Sequence, residues 1–306
     1  EFATTSLRRL VAEGYNIVAV VTTPDKPAGR GQKIHQSDVK VAAMELGLPV
    51  LQPEKLRDEA FLEQMSALEV DLGIVIAFRM LPEVVWAMPK LGTFNLHASL
   101  LPEYRGAAPI NWAIINGDKR TGITTFLLNE EIDKGAIIEQ EAVDILPEDN
   151  IGTMYDKLMT KGCDLVVDTV ERIAAQDYTA IEQMHIDEST LKPAPKIFKE
   201  DGRIDWRRKA EDIHNLVRGL SPYPAAWSDI CDANDSVSTL KVFETKLCDD
   251  LQSEQSLMPG DIICTKSRMA VMCADGLLEI LELQLSGKKR MTTQAFLLGY
   301  KPKACK

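Results

Sequence analysis

Apolar and polar positions along the first half of the chain follow two alternating rhythms. From Thr5 to Gly14 the spacing is helical, with Leu7, Leu10 and Val11 apolar against Arg8, Arg9 and Glu13, and Gly14 placed as the C-terminal cap. Ile17-Val18-Ala19-Val20-Val21 is an unbroken apolar run, the mark of a strand buried on both faces of a parallel sheet. The pattern then predicts a helix from Asp38 to Leu46, capped by Ser37 or Asp38 and stopped by Gly47. A short strand at residues 49–51, a helix from Glu59 to Leu68 and a buried strand from Asp71 to Ala77 follow. Between the first strand and the second helix, the two prolines and two glycines of residues 22–33 predict a loop without a regular element. Strands alternating with helices imply βαβ units and a twisted, mostly parallel sheet covered on both faces. This order places one further strand and its turn upstream of Glu1.

The later pattern changes character. A strand ends at Asn95 and His97, helical spacing covers Asn111 to Ile115, and strands are predicted at Ile123–Leu128 and Ile137–Val143. Asn150 to Ala175 is a long amphipathic helix with a break expected near Gly162. Lys192-Pro193-Ala194-Pro195-Lys196 forms a proline-stiffened connector. Beyond Trp206 a helix runs to Leu220, followed by five short β-like segments at residues 226–230, 240–245, 261–264, 269–273 and 277–284. Such a series predicts a small barrel, with Arg203, Arg207, Arg208, Lys209, Lys288, Lys289 and Arg290 as its basic face. The expected architecture is a Rossmann-like, doubly wound α/β domain over residues 1–187, a linker over 188–205 and an OB-like β-barrel over 206–306.

Composition narrows the class. The 306 residues suffice for two domains, and 45% hydrophobic with 26% charged residues is ordinary for a soluble protein. No apolar run approaches the roughly 20 residues of a membrane span, and no secretory signal opens the chain, so a cytoplasmic protein without membrane attachment is expected. The six cysteines lack CxxC spacing and lie in the second half, which points to reduced thiols rather than zinc or disulfides. A net charge of −11 argues against a general nucleic-acid coat but leaves room for a local basic patch. Lys26, Arg30 and Lys33 on the 22–33 loop are candidates for such a patch, or plain solvated surface.

Candidate chemistry concentrates in the stretch from Asn95 to Pro109. Two residues apart on a strand, Asn95 and His97 face the same side, at the carboxyl end where open α/β sheets place their ligand sites. The carboxylate-rich loop from Asn129 to Lys134 comes one strand later, with Asp133 lying 36 residues beyond His97. An Asp beside a His holds the ring in one tautomer and stabilises its cation, as acid–base pairs require. Spacing alone leaves Asp133 open between that role and a turn residue ahead of Gly135.

Asn95-Leu96-His97, Ser99-Leu100-Leu101-Pro102, Arg105-Gly106-Ala107-Ala108-Pro109 and the Ile132-Asp133-Lys134-Gly135 loop together resemble the core of the folate-dependent formyltransferases. Within that family, Pro24-Asp25-Lys26-Pro27-Ala28-Gly29-Arg30-Gly31, Gly202-Arg203-Ile204-Asp205-Trp206 and Leu220-Ser221-Pro222-Tyr223-Pro224 are similar to the branch that formylates methionyl-tRNA. The chain departs from that branch at Ala77-Phe78-Arg79, where Ala-Tyr-Gly is common, and at Ala136, where the loop often carries a second Asp.

The resemblance implies formyl transfer from 10-formyltetrahydrofolate to the amino group of initiator methionyl-tRNA, by a monomer and without metal. It implies Asn95 and His97 as oxyanion donors, with Asp133 assisting. Folate binding would fall on Phe78, Arg79, Met80 and Leu81, on Ser99, Leu100, Leu101 and Pro102, and on Asn129, Glu130 and Glu131. Contacts to tRNA would come from Lys26, Arg30, Lys33, Lys192 and Lys196. Rival readings are another amine acceptor, glycinamide ribonucleotide or an amino sugar nucleotide, and a non-catalytic folate- or RNA-binding module.

Overall fold

A computed structural model describes residues 1–28, 33–183, 187–251 and 256–306. In chain order the elements of the first half are α1 (Phe2–Ala12), β1 (Val20–Val21), β2 (Lys26–Ala28), β3 (Lys33–His35), α2 (Asp38–Glu45), β4 (Val50–Leu51), α3 (Glu59–Ala67), β5 (Gly73–Ile76), α4 (Glu83–Trp86) and β6 (Thr93–His97). Then come α5 (Pro109–Ile115), β7 (Arg120–Leu127), β8 (Ile137–Asp144), α6 (Ile151–Ala175), α7 (Ala210–Leu220), β9 (Ala226–Asp232), β10 (Val237–Cys248), β11 (Ile262–Cys264), β12 (Met269–Met272), β13 (Leu277–Leu285), β14 (Met291–Thr292), α8 (Thr293–Leu297) and β15 (Pro302–Cys305). They divide into two compact units: Glu1–Gly106 with Gly122–Val143 and Asp156–Lys192, and Ala107–Thr121 with Asp144–Tyr155 and Pro193–Lys306.

In the first unit, β5, β6, β7 and β8 lie side by side in that order, β6 parallel to β5 and antiparallel to β7. A second parallel pair, β1 with β4, stands apart from this sheet. The expected double-sided burial of the strands at 17–21 and 71–77 is therefore corrected. Every position of β1 and β5 is half-buried, so neither strand is closed off on both faces. Helix caps follow the sequence: the Ser37 hydroxyl accepts from the Lys40 N–H at 3.3 Å, and Gly14 and Gly47 take positive φ just past α1 and α2. Leu7 packs on Ala42 and Ala43 between those two helices.

Two expectations fail for identifiable reasons. Residues 26–28 and 33–35 pair as an antiparallel ribbon, Pro27 opposite Ile34. In a two-stranded ribbon each strand is an edge, so a proline with no N–H breaks no ladder on its outer side. The long helix α6 is unbroken at Gly162. A Cβ there would lie 2.9 Å from Leu96 Cδ2, so the glycine lets α6 approach β6 rather than ending it.

The second unit holds an antiparallel sheet in the order β11-β12-β13-β10-β9-β15, with β14 beside β13. Its ends meet: Asp261 bridges Ala304, and the Cys305 N–H donates to the Gly260 carbonyl at 2.8 Å, which nearly closes the barrel. Register shifts around Glu244 bend β10 against β13, as closure requires. The apolar face of α7 (Ile213, Leu216, Val217, Leu220) packs with barrel residues Ile230, Leu240, Val242, Val271 and Ile280. Four of the seven residues of the expected basic face pair with local carboxylates. Arg203 pairs with Asp229 at 3.3 Å, Arg207 with Asp205 at 2.8 Å, Arg208 with Asp212 at 3.7 Å, and Arg290 with Glu282.

Candidate active site

The site is built at the end of β6. There Leu96 turns toward α6, while Asn95 and His97 share the opposite face. Asn95 is half-buried, and among the described residues nothing bonds its carboxamide. His97 is 7% exposed. Its Nε2 lies 2.9 Å from the carbonyl oxygen of Tyr104. A carbonyl only accepts, so Nε2 carries a hydrogen, and Nδ1 is the nitrogen left for another partner.

Asp133 faces that nitrogen, its Oδ2 3.9 Å from Nδ1. The same Oδ2 accepts the Gly106 N–H at 2.9 Å. Asp133 takes φ +55, a left-handed backbone uncommon for a residue with a Cβ. At Gly135 an added Cβ would lie 1.6 Å from the Leu127 carbonyl oxygen, so only glycine lets this loop lie against β7. A carboxamide, an imidazole with one nitrogen tethered and a carboxylate thus converge within one unit. Such a set can hold a developing oxyanion and take up a proton.

The loop 98–106 that carries the Tyr104 carbonyl and the Gly106 N–H is held from below by buried hydroxyls. Thr124 Oγ1 donates to the Ser99 carbonyl at 2.6 Å and accepts the Leu101 N–H at 3.2 Å. Gln140 Nε2 donates to Leu101 O at 2.8 Å and to Thr124 Oγ1 at 2.9 Å. Ser99 is fully buried and donates to the Glu103 carbonyl at 2.6 Å, so its hydroxyl serves the loop rather than a ligand. Leu101 is likewise core, packed with Phe126 and Ile137. Sequence reasoning missed Tyr104, Gly106, Thr124 and Gln140. The first two act through backbone atoms, and the side chains of the others carry no reactive group to draw notice.

The remaining candidates have varied local surroundings. Phe78 and Leu81 pack against the cluster of Leu56, Phe61 and Val85, whereas Met80 is 72% exposed. Arg79 donates to the carbonyls of Pro53 at 2.8 Å and Glu54 at 3.1 Å, and lies over the Phe78 ring. Asn129 Oδ1 accepts the Glu131 N–H at 3.0 Å, and Glu130 is exposed. Leu100 and Pro102 are half-buried beside Leu101. Lys26 is exposed, Lys192 lies over the Tyr104 ring and Lys196 over Phe198. Arg30 and the side chain of Lys33 fall outside the described residues.

Comparison with known proteins bears on the family of the chain. Residues 2–170 match the formyl transferase family model, and residues 196–301 match that of the formyl transferase C-terminal domain. The methionyl-tRNA formyltransferases of Bacteroides thetaiotaomicron and Parabacteroides distasonis are 51% and 52% identical over 303 and 305 residues, covering 98% of this chain and 93% of each relative. Among solved structures, the N-formyltransferase of Helicobacter canadensis, in complex with folinic acid and dTDP-3-aminofucose, shares the fold with a TM-score of 0.67. Its identity is 19%, over 95% of this chain and 96% of that one, a likeness of fold alone. No helix among the described residues is long and apolar enough to cross a membrane. The chain belongs to the formyl transferases across both its N-terminal and C-terminal domains.

Proposed function

We propose that this protein transfers the formyl group of 10-formyltetrahydrofolate to the amino group of initiator methionyl-tRNA. Support comes from the relatives of that name at 51–52% identity over nearly the whole chain. The observation that carries the chemistry is the Asp133 carboxylate 3.9 Å from His97 Nδ1, beside Asn95.

In this reading the amine attacks the formyl carbon, and the carbonyl electron pair moves onto oxygen. The Asn95 carboxamide and a protonated His97 Nδ1 donate to that oxyanion, each worth about 3 kcal/mol. His97 and Asp133 stand too far apart for a direct hydrogen bond, and the attacking nitrogen or one water lying beside the pair can reach both. Asp133 takes the proton the amine sheds. Collapse of the intermediate breaks the bond from carbon to the folate nitrogen, which picks up a proton and leaves as tetrahydrofolate. No covalent enzyme intermediate is needed, because the donor arrives activated.

The folate lies against Phe78, Met80 and Leu81 and the backbone of Asn129, Glu130 and Glu131. Lys26, Arg30, Lys33, Lys192 and Lys196 meet the tRNA phosphates, concentrating locally the positive charge that an acidic protein lacks overall. The barrel-bearing second unit adds to the tRNA surface.

The test is formyl transfer from 10-formyltetrahydrofolate to charged initiator tRNA by wild type, His97→Ala and Arg30→Ala. Turnover by wild type, its loss in His97→Ala and a raised KM for tRNA in Arg30→Ala are expected. A wild type that formylates glycinamide ribonucleotide or a dTDP-amino sugar but not methionyl-tRNA overturns the acceptor. A fully active His97→Ala overturns the mechanism.

A further inference from the structure

We infer that Gln183 is a positioning residue that sets the Asp133–His97 geometry, an inference that rests on the formyl-transfer reading for its kinetics but not for its spectroscopy. Gln183 belongs to no motif and lies 50 residues from Asp133 in the chain. The fold brings it there by a bridge between Ile181 and Ile137, whose N–H groups each donate to the other's carbonyl at 2.8 Å. This fixes the segment against the start of β8, two residues from Gln183.

The carboxamide then uses both ends. Its Nε2 donates to the carbonyl of Asp133 at 3.1 Å and to that of Gly135 at 2.8 Å. Its Oε1 accepts from Arg105 Nη2 at 2.8 Å. Both amide hydrogens and the oxygen are therefore engaged, a combination that a glutamate, with no donors, cannot reproduce.

The two segments it joins, one through backbone carbonyls and the other through the Arg105 side chain, are the ones that aim the reacting groups. On one side is the 133–135 loop, where Asp133 stands at φ +55 and needs support from outside its own chain segment. On the other is Arg105, which lies between Tyr104 and Gly106. The Tyr104 carbonyl fixes His97 Nε2, and the Gly106 N–H fixes the Asp133 carboxylate. Gln183 touches neither the carboxylate nor the imidazole; it acts through the frame that orients them. Glu188 reinforces the same frame, its Oε1 2.5 Å from Lys134 Nζ and 3.5 Å from Arg105 Nη1.

The experiment compares wild type, Gln183→Leu, Gln183→Glu and Asp133→Asn by steady-state kinetics and by nitrogen-15 spectra of labelled histidine in the free protein. With four histidines in the chain, the His97 signals are assignable by substitution. Both Gln183 variants are expected to lose kcat about ten- to a hundred-fold, with little change in either KM. Their His97 nitrogen shifts should move in the direction seen in Asp133→Asn. Gln183→Glu keeps an acceptor for Arg105 and lacks the donors, so equal losses in the two variants assign the effect to the loop carbonyls.

A merely structural role lowers melting temperature and the yield of folded enzyme while leaving kcat per folded molecule and the His97 shifts alone; that result overturns the inference. The spectra need no acceptor, so a wild type inactive on methionyl-tRNA counts against the function and leaves this inference to be judged on the shifts. If Gln183→Leu does not fold, the better solvated Gln183→Glu supplies the same reading.

Discussion

The Nε2 of His97 and the carbonyl oxygen of Tyr104 stand 2.9 Å apart, which commits one imidazole nitrogen to the backbone and leaves the other for chemistry. Asparagine at position 97 places an N–H near the former Nδ1, and glutamine places one near the former Nε2. His97→Asn is therefore expected to retain more kcat than His97→Gln, although both fall below wild type. One donor at the reacting oxygen is worth about a hundred-fold, which sets the scale of the difference. Single-turnover formylation with saturating donor measures it. The reverse order assigns the working atom to Nε2, and equal rates remove the assignment to Nδ1.

Asp133→Asn separates charge from shape. The asparagine oxygen still accepts the Gly106 N–H that Asp133 accepts at 2.9 Å, so the loop keeps its anchor. What is lost is a carboxylate 3.9 Å from His97 Nδ1. A fall in kcat of about a hundred-fold or more is expected, the range of general acid–base catalysis, with melting temperature near wild type. Differential scanning calorimetry alongside the rate assay decides. A variant that loses stability as much as activity makes Asp133 a structural residue.

Gly135→Ala is expected to fail in both respects. Its Cβ would sit 1.6 Å from the Leu127 backbone oxygen, and no side-chain rotation relieves a clash with backbone. The loop must move, which displaces Asp133 and disturbs the bond from the Leu127 N–H to the Ala136 carbonyl at 2.9 Å. A loss of about 3 kcal/mol in urea unfolding is expected. Gly276→Ala is the control: nothing lies within 4 Å of its Cβ, and its stability should stay within about 0.5 kcal/mol of wild type.

The candidate trio could be singled out from sequence because its signals are local, although spacing alone left the role of Asp133 open. Asn95 and His97 share a strand face by parity alone, and Asp133 sits in a loop whose neighbours are fixed by glycine. Helix ends were legible through Ser37, Gly14 and Gly47, since capping is decided within a few residues. The frame around the trio was not legible. Tyr104 and Gly106 act through backbone groups that every residue carries, and Gln183 acts across a distance that no periodicity reports. The ribbon at 26–28 and 33–35 was hidden because proline and glycine signal breaks, yet a ribbon with two edges tolerates them.

The second unit carries a pH dependence of its own. His214, on α7, places Nδ1 2.9 Å from Thr245 Oγ1 on β10. Burial, with the Arg218 charge beside it, holds the imidazole down from 6.5 to about 4. The folded state therefore stays unprotonated there while the unfolded chain takes up a proton between these values. The unfolded state binds more protons in that window, so stability rises with pH through it and is lost as pH falls from about 6.5 toward 4. The contribution is on the order of 1–2 kcal/mol once partial exposure is allowed for. Carboxylates titrate over part of the same range, so the informative quantity is the difference between wild type and His214→Gln. Urea unfolding at pH 7 and pH 5 should show a smaller loss in the variant, which has no proton to gain. Identical losses in the two proteins would place the acid sensitivity in the carboxylates and not in this helix.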